Sequence, residues 1–283
     1  MRCLVATRLH TFAILSALRS TVAAAVTGMA LAVMPPAHGS LDAQLAKQVP
    51  QPVVRVVYLV PADRPVREDY VPPIAAAIAH VQIWFRNALG GSTTFRLNKR
   101  PVDVVQLPHE AAWYSTTPNG EYQYAFWFNV LQDAFALTGG GFSDPDDIWI
   151  FYIDADPGCG QIIGAAAGVA LVGANDLRGL AGEENVPACP EDPPDTAGVC
   201  RWVGGLGHEL GHALGLPHPA PCDTPDPDLA CPDDALMWLG YRTYPDARLL
   251  ESDAAILRDS RFISEVPGRR SIPDCSVLIR GPQ

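Results

Sequence analysis

His208-Glu209-Leu210-Gly211-His212-Ala213-Leu214-Gly215-Leu216-Pro217-His218 is the stretch from which the rest of this 283-residue chain can be read. His208 and His212 are four residues apart, so on a helix both imidazoles project from one face and can share an ion. Glu209 lies one residue on, close to that ion but not aimed to ligate it, where a carboxylate can take a proton from a metal-bound water. Gly215 can end the helix in a left-handed turn, after which His218 can reach the ion from another direction. Three nitrogens with one open position form a catalytic zinc site, not a structural one. A lone helical His is usually not a ligand. Here three fall in register around a Glu and a Gly, and each of the five fixed positions lowers the odds of coincidence by a factor of roughly ten. His80 and His109 stand outside this constellation and read as packing or surface residues.

Working outward, the motif sits on a predicted helix over Trp202–Leu216. Val53–Val60 is rich in Val and Tyr and reads as a strand. Tyr70–Leu89 has helical spacing in Ile74, Ile78, Val81, Trp84 and Phe85, and Gly90-Gly91 ends it. Thr93–Leu97 and Val102–Leu107 read as strands. Glu121–Leu137 is a helix with a dense aromatic set, read as a packed core face. Asp147–Ile153 is a strongly apolar, central strand. Gly160–Gly173 reads as one strand of small residues, and Leu250–Ile263 as a last helix capped by Ser252. No internal repeat and no long linker divides residues 53–283, so one domain is expected there.

The motif from His208 to His218 resembles the extended zinc-binding motif of the metzincin metallopeptidases. That family also carries a turn with a Met beneath the metal; Ala235-Leu236-Met237, 19 residues past His218, fits it. The Ala-Leu-Met triplet is similar to the matrixins, and Pro219 after the third His to the serralysins. Leu239 stands where astacins and serralysins place a Tyr, and no Cys lies between residues 40 and 158 to act as a matrixin-type switch. The resemblance implies an α/β, zincin-like fold: a twisted, mostly parallel sheet with an antiparallel edge strand, an active-site helix and a C-terminal helix. The helix at 121–137 is an addition to that scheme, expected to pack on the sheet. The resemblance also implies one catalytic zinc on His208, His212 and His218, Glu209 as general base, Met237 shaping the floor, and endopeptidase activity on protein or peptide substrates. The competing reading is a zinc-binding protein of the same fold with a non-proteolytic role. Substrate backbone would lie along an exposed strand edge. Gly160–Gly173 is the candidate edge, with Ala166 and Gly168 as outward-facing positions.

Arg2, Arg8 and Arg19, the apolar run Thr21–Val33, and the small residues Ala37 and Gly39 read in order as a secretory signal peptide over residues 1–39. The run is short for a membrane span of about 20 residues, and no membrane span is expected in the mature chain. Residues 40–52 form a short leader. Export to a secreted or periplasmic location makes disulfides the expected state of Cys159, Cys189, Cys200, Cys222, Cys231 and Cys275. Short loops suggest the pairs Cys189–Cys200 and Cys222–Cys231, leaving Cys159–Cys275, one of 15 connectivities. The net charge of −11 argues against a nucleic-acid partner. Asp144, Asp146, Asp147 and the acidic loops at 191–195 and 223–234 leave calcium open, solvated loops being the commoner case. Oligomeric state is not encoded in any of these features.

Overall fold

The structure, a computed structural model, describes residues 51–183, 189, 198–223 and 231–276. The expected signal peptide, most of the leader and the acidic stretch at 191–195 lie outside the described residues, as does most of that at 223–234. In chain order the elements are β1 (Val53–Val60), α1 (Val71–Ala88), β2 (Thr93–Phe95), β3 (Asp103–Gln106), α2 (Ala111–Thr116) and α3 (Tyr122–Thr138). There follow β4 (Asp147–Ile153), β5 (Gly164–Ala166), β6 (Val169–Val172), α4 (Ala174–Ala181), α5 (Val199–Ala213), α6 (Glu251–Asp259) and β7 (Ile263–Glu265).

Five strands form one sheet in the order β3-β1-β4-β6-β5. The β1–β3, β1–β4 and β4–β6 pairs are parallel, and β5 alone runs antiparallel, on the edge beside β6. This is the mostly parallel α/β sheet with an antiparallel edge strand expected from the sequence. Parallel strands need crossovers that cover both faces, so their sequences are apolar on both sides. In β1, Val54, Val56, Tyr58 and Val60 enter one core while Val57 and Leu59 enter the other. In β4, Ile148, Ile150 and Tyr152 share the first core and Trp149, Phe151 and Ile153 the second. Burying one such side chain contributes roughly 1.5–3 kcal/mol, and from Val56 to Val60 a charge on either face of β1 would find no water; Arg55, nearer its start, is partly exposed and pairs with Asp147.

The first core is closed by α1 and α5. Helix α1 buries Ile74, Ile78, Val81 and Phe85 at the predicted spacing, and prolines in its first turn remove only N–H groups that have no helical partner. The second core is closed by α3, which contributes Phe126, Trp127, Val130 and Leu131. The additional helix thus packs on the sheet, although Tyr122 and Phe128 of its aromatic set are exposed. Gly139, in the left-handed region, ends it.

Several boundaries differ from the sequence reading. Gly160–Gly173 is not one strand but a hairpin: Ala167 and Gly168 both take positive φ (47° and 86°), the geometry of a two-residue turn, and β6 returns beside β5. Gly168 therefore sits in the turn, where its carbonyl accepts the Trp149 amide (2.9 Å), and is not an edge position. Ala166 pairs with Val169 across the turn as its closing pair, which directs the Ala166 N–H and C=O toward β6. The residue whose N–H and C=O face the open edge is Ala165. The last helix ends at Asp259, and Ile263–Glu265 instead pairs with β2 in a separate two-stranded sheet. Ser252 does not cap α6; the Asp253 carboxylate accepts the Leu250 amide (3.3 Å).

Two of the three expected disulfides are re-paired. The bonds are Cys159–Cys189, Cys200–Cys275 and Cys222–Cys231, and only the last matches. Cys200 lies in the first turn of α5 and packs against the first core, where Cys275 is buried. Its side chain therefore meets the C-terminal segment, 75 residues away, and not its sequence neighbour Cys189.

Candidate metal centre

Helix α5 carries Gly204, Gly205, Gly207 and Gly211, each of which costs a helix roughly 1 kcal/mol against Ala. Close packing explains two of them. A Cβ on Gly204 would overlap the Tyr241 carbonyl and Tyr244, and one on Gly211 would overlap Met237 Sδ. The helix is held by burial of Trp202, Val203, Leu206 and Leu210 and not by its own propensity.

The end of α5 is a Schellman turn. Gly215 (φ 95°) follows the helix, with Gly215 N–H donating to His212 O and Leu216 N–H to Gly211 O, both at 2.9 Å. The turn reverses the chain and brings His218 back onto the face that carries His208 and His212. His212 Nε2 lies 3.1 Å from His208 Nε2 and 3.0 Å from His218 Nε2. Ligands at zinc bond lengths in a tetrahedron stand about 3.3 Å apart.

The tautomers of two rings follow from their other nitrogen. His208 Nδ1 is 2.7 Å from Leu236 O and His212 Nδ1 is 2.8 Å from Leu216 O. A carbonyl can only accept, so both Nδ1 atoms carry the proton and both Nε2 atoms present lone pairs to the same point. Converging lone pairs repel unless a cation sits among them. The donor set, three imidazoles of which two are oriented by carbonyls, fits a zinc ion. Burial, then the two neighbouring imidazoles, hold His208 down to a pKa of about 3, so that it stays neutral. Leu236 belongs to the Ala235–Met237 turn, and Met237 is fully buried beneath the histidines against Gly211. Trp238 packs edge-on to His218, the ring centroids 5.4 Å apart.

Glu209 points into a 240 Å³ cavity with Ile163, Asp176, Arg201, His208 and Tyr241 on its walls. Its carboxyl is pushed up to about 8, first by burial and then by Asp176, with Arg201 opposing. The Arg201 guanidinium lies over the rings of Trp202 (4.1 Å) and Tyr241 (4.9 Å), and Tyr241 is edge-on to His208. On the opposite side, the missing side chain of Gly164 leaves β5 close to the carboxylate: a Cβ there would stand 3.6 Å from Glu209 Oε2. The arrangement can bind a divalent ion, hold a proton on a carboxyl beside it, and receive a chain along β5.

Asp176, Arg201, Tyr241, Gly211 and the two orienting carbonyls were not found from sequence. Only Gly211 carried a signal, as a helix-weakening residue between two ligands. His80 is buried between the Tyr244 hydroxyl (2.7 Å) and the Pro273 carbonyl (2.8 Å), and His109 bonds Asp133 (2.8 Å) and stacks on Trp113. Neither joins the centre. Asp144, Asp146 and Asp147 do not converge on a cation position. Asp144 accepts from two backbone amides and the Trp149 indole, Asp147 pairs with Arg55 and Asp146 with Arg261. No helix among the described residues is long and apolar enough to cross a membrane.

The chain matches no family model and no curated protein. Among solved structures it is similar to the catalytic inactive OgpA from Akkermansia muciniphila, crystallised in complex with an O-glycopeptide (glycodrosocin) substrate. The two are 16% identical with a TM-score of 0.49, over 75% of this chain and 61% of that one. The chain thus spans less than two thirds of that protein's length.

Proposed function

We propose that this chain is a secreted, zinc-dependent endopeptidase of the metzincin type, with His208, His212 and His218 as ligands and Glu209 as general base. The observation that carries the reading is the convergence of three Nε2 atoms, two with their Nδ1 protons committed to carbonyls, beside a half-buried carboxyl and an open strand edge. When bound, zinc supplies Lewis acidity, making water acidic near neutral pH and polarising a carbonyl. Glu209 takes the proton of the attacking water and returns it to the leaving amine. Next to a cation its carboxyl ionises more readily than in the metal-free protein.

The outward N–H and C=O of Ala165 hold the substrate backbone as an added strand. Its small side chain, and the absence of one at Gly164, let that strand approach within reach of Glu209. The three disulfides agree with an exported protein, and residues 1–39 serve as the signal peptide that directs it. The mature protein should cleave members of an unbiased peptide library, contain one zinc per chain, and lose both properties to a chelator. A preparation that binds zinc but cleaves nothing would reject the peptidase reading.

A further inference from the structure

A second cavity, of 510 Å³, lies at the other end of β5. The two cavities share walls. The one holding Glu209 takes Ile163, just before β5, and Gly205, His208 and Glu209 of α5. The second takes Ala167 and Gly168, just after β5, and Ala213, Leu214 and Gly215 at the end of α5. The lengths agree: from Ile163 to Ala167 is about 13 Å at strand rise, and from Gly205 to Ala213 about 12 Å at helical rise. Strand and helix pack side by side and run in the same direction, with one cavity at each end of the pair.

The interior of the second cavity is apolar, with Ile148, Leu214, Ile256 and Phe262 lining it, and Ile256 is 40% exposed there. Two of the charges at its rim face other partners: Asp144 accepts the Trp149 indole N–H (3.0 Å), and Arg261 pairs with Asp146 (3.4 Å). The third, Asp259, is exposed to solvent at the rim. The apolar interior favours an apolar occupant.

We infer that this cavity is a second substrate subsite, taking a bulky apolar side chain three or four residues from the cleaved bond. The distance follows from the length of an extended chain between the two cavities, about 3.3 Å per residue. The inference rests on the peptidase reading of the metal centre. Its occupant is part of the same polypeptide that lies along β5.

The test takes one peptide that the wild-type protein cleaves and replaces each residue within six of the cleaved bond, singly, by Ala or Phe. Cleavage is followed as kcat/KM with the wild type, and binding as Kd with zinc-loaded Glu209→Gln. Phe in place of Ala should improve both by about tenfold or more at one position, three or four residues from the bond. Ser260→Trp, which fills the cavity, and Ile256→Arg, which charges it, should each abolish that gain. Both should cleave a peptide too short to reach the cavity at the wild-type rate. A peptide series with no preference at that distance overturns the subsite, as does a gain that survives in either folded variant. A wild type that cleaves no peptide overturns instead the peptidase reading on which the subsite depends.

Discussion

His212 donates its Nδ1 proton to the carbonyl oxygen of Leu216, 2.8 Å away and four residues on, across the turn that Gly215 makes. One turn therefore does two things: it returns the chain toward His218 and fixes the ring of His212. Gly215 makes this testable, because a Cβ there would meet no atom within 4 Å. Gly215→Ala acts through the backbone alone, at a φ of 95° that costs an L-residue roughly 1–2 kcal/mol. We expect a lower melting temperature and about tenfold weaker zinc binding, measured by competition with a chromophoric chelator. Unchanged affinity would mean that the Leu216 carbonyl does not orient His212.

Glu209 and the histidines should separate cleanly. Glu209→Ala should retain about one zinc per chain and lose hydrolysis by at least a hundredfold. His212→Ala should lose metal and activity together. A Glu209→Ala protein that cleaves at near the wild-type rate would remove Glu209 as the base.

The metal-free protein should have a stability optimum set by two groups at the centre. Glu209 is raised from 4.5 to about 8, so the folded chain keeps a proton that the unfolded chain releases. That contribution is complete below about 4.5 and is lost as pH rises toward 8. His208 is depressed from 6.5 to about 3; its contribution is present above 6.5 and is lost as pH falls toward 3. Melting curves of chelated protein from pH 4 to 9 should show both slopes, and Glu209→Gln should flatten the alkaline one. Identical alkaline slopes in the two proteins would contradict the buried-carboxyl account.

The three converging histidines were legible because metal chemistry restricts the residue types and the helix restricts their spacing. The mostly parallel sheet and its antiparallel edge followed from the motif's family resemblance. What sequence did not show was supplied from a distance. Asp176 and Arg201 approach Glu209 from α4 and from two turns earlier in α5, and Leu236 approaches His208 from 28 residues downstream. The β5–β6 hairpin was hidden because Gly and Ala carry little strand preference, and because Ala167, a non-glycine residue, takes a positive φ at its turn. Disulfide pairing failed at Cys200, though not at Cys222–Cys231, for the same kind of reason: closeness in sequence does not give the direction in which Cys200 leaves its helix.

Mapping by mass spectrometry of the unreduced mature protein should find Cys159–Cys189, Cys200–Cys275 and Cys222–Cys231, with no free thiol among the six. Replacing Cys200 and Cys275 together by Ala should cost about 2–5 kcal/mol, because this bond ties the C-terminal segment to the start of the helix that carries His208 and His212. Recovery of a Cys189–Cys200 peptide would contradict the fold at that helix.

The hairpin separates two proline substitutions that a single-strand reading would treat alike. At Ala165 the backbone N–H faces the open edge, so Pro removes a donor that the fold itself does not use. Ala165→Pro should raise KM at least several-fold, or lower turnover, with zinc content and melting temperature close to wild type. At Gly168 the φ of 86° cannot be reached by a proline ring fixed near −65°. Gly168→Pro should therefore disrupt the turn, lower the melting temperature by several degrees, and reduce activity only as a consequence. If Ala165→Pro keeps full activity while remaining folded, substrate does not pair with this edge. If Gly168→Pro melts like wild type, the turn is not where the structure puts it.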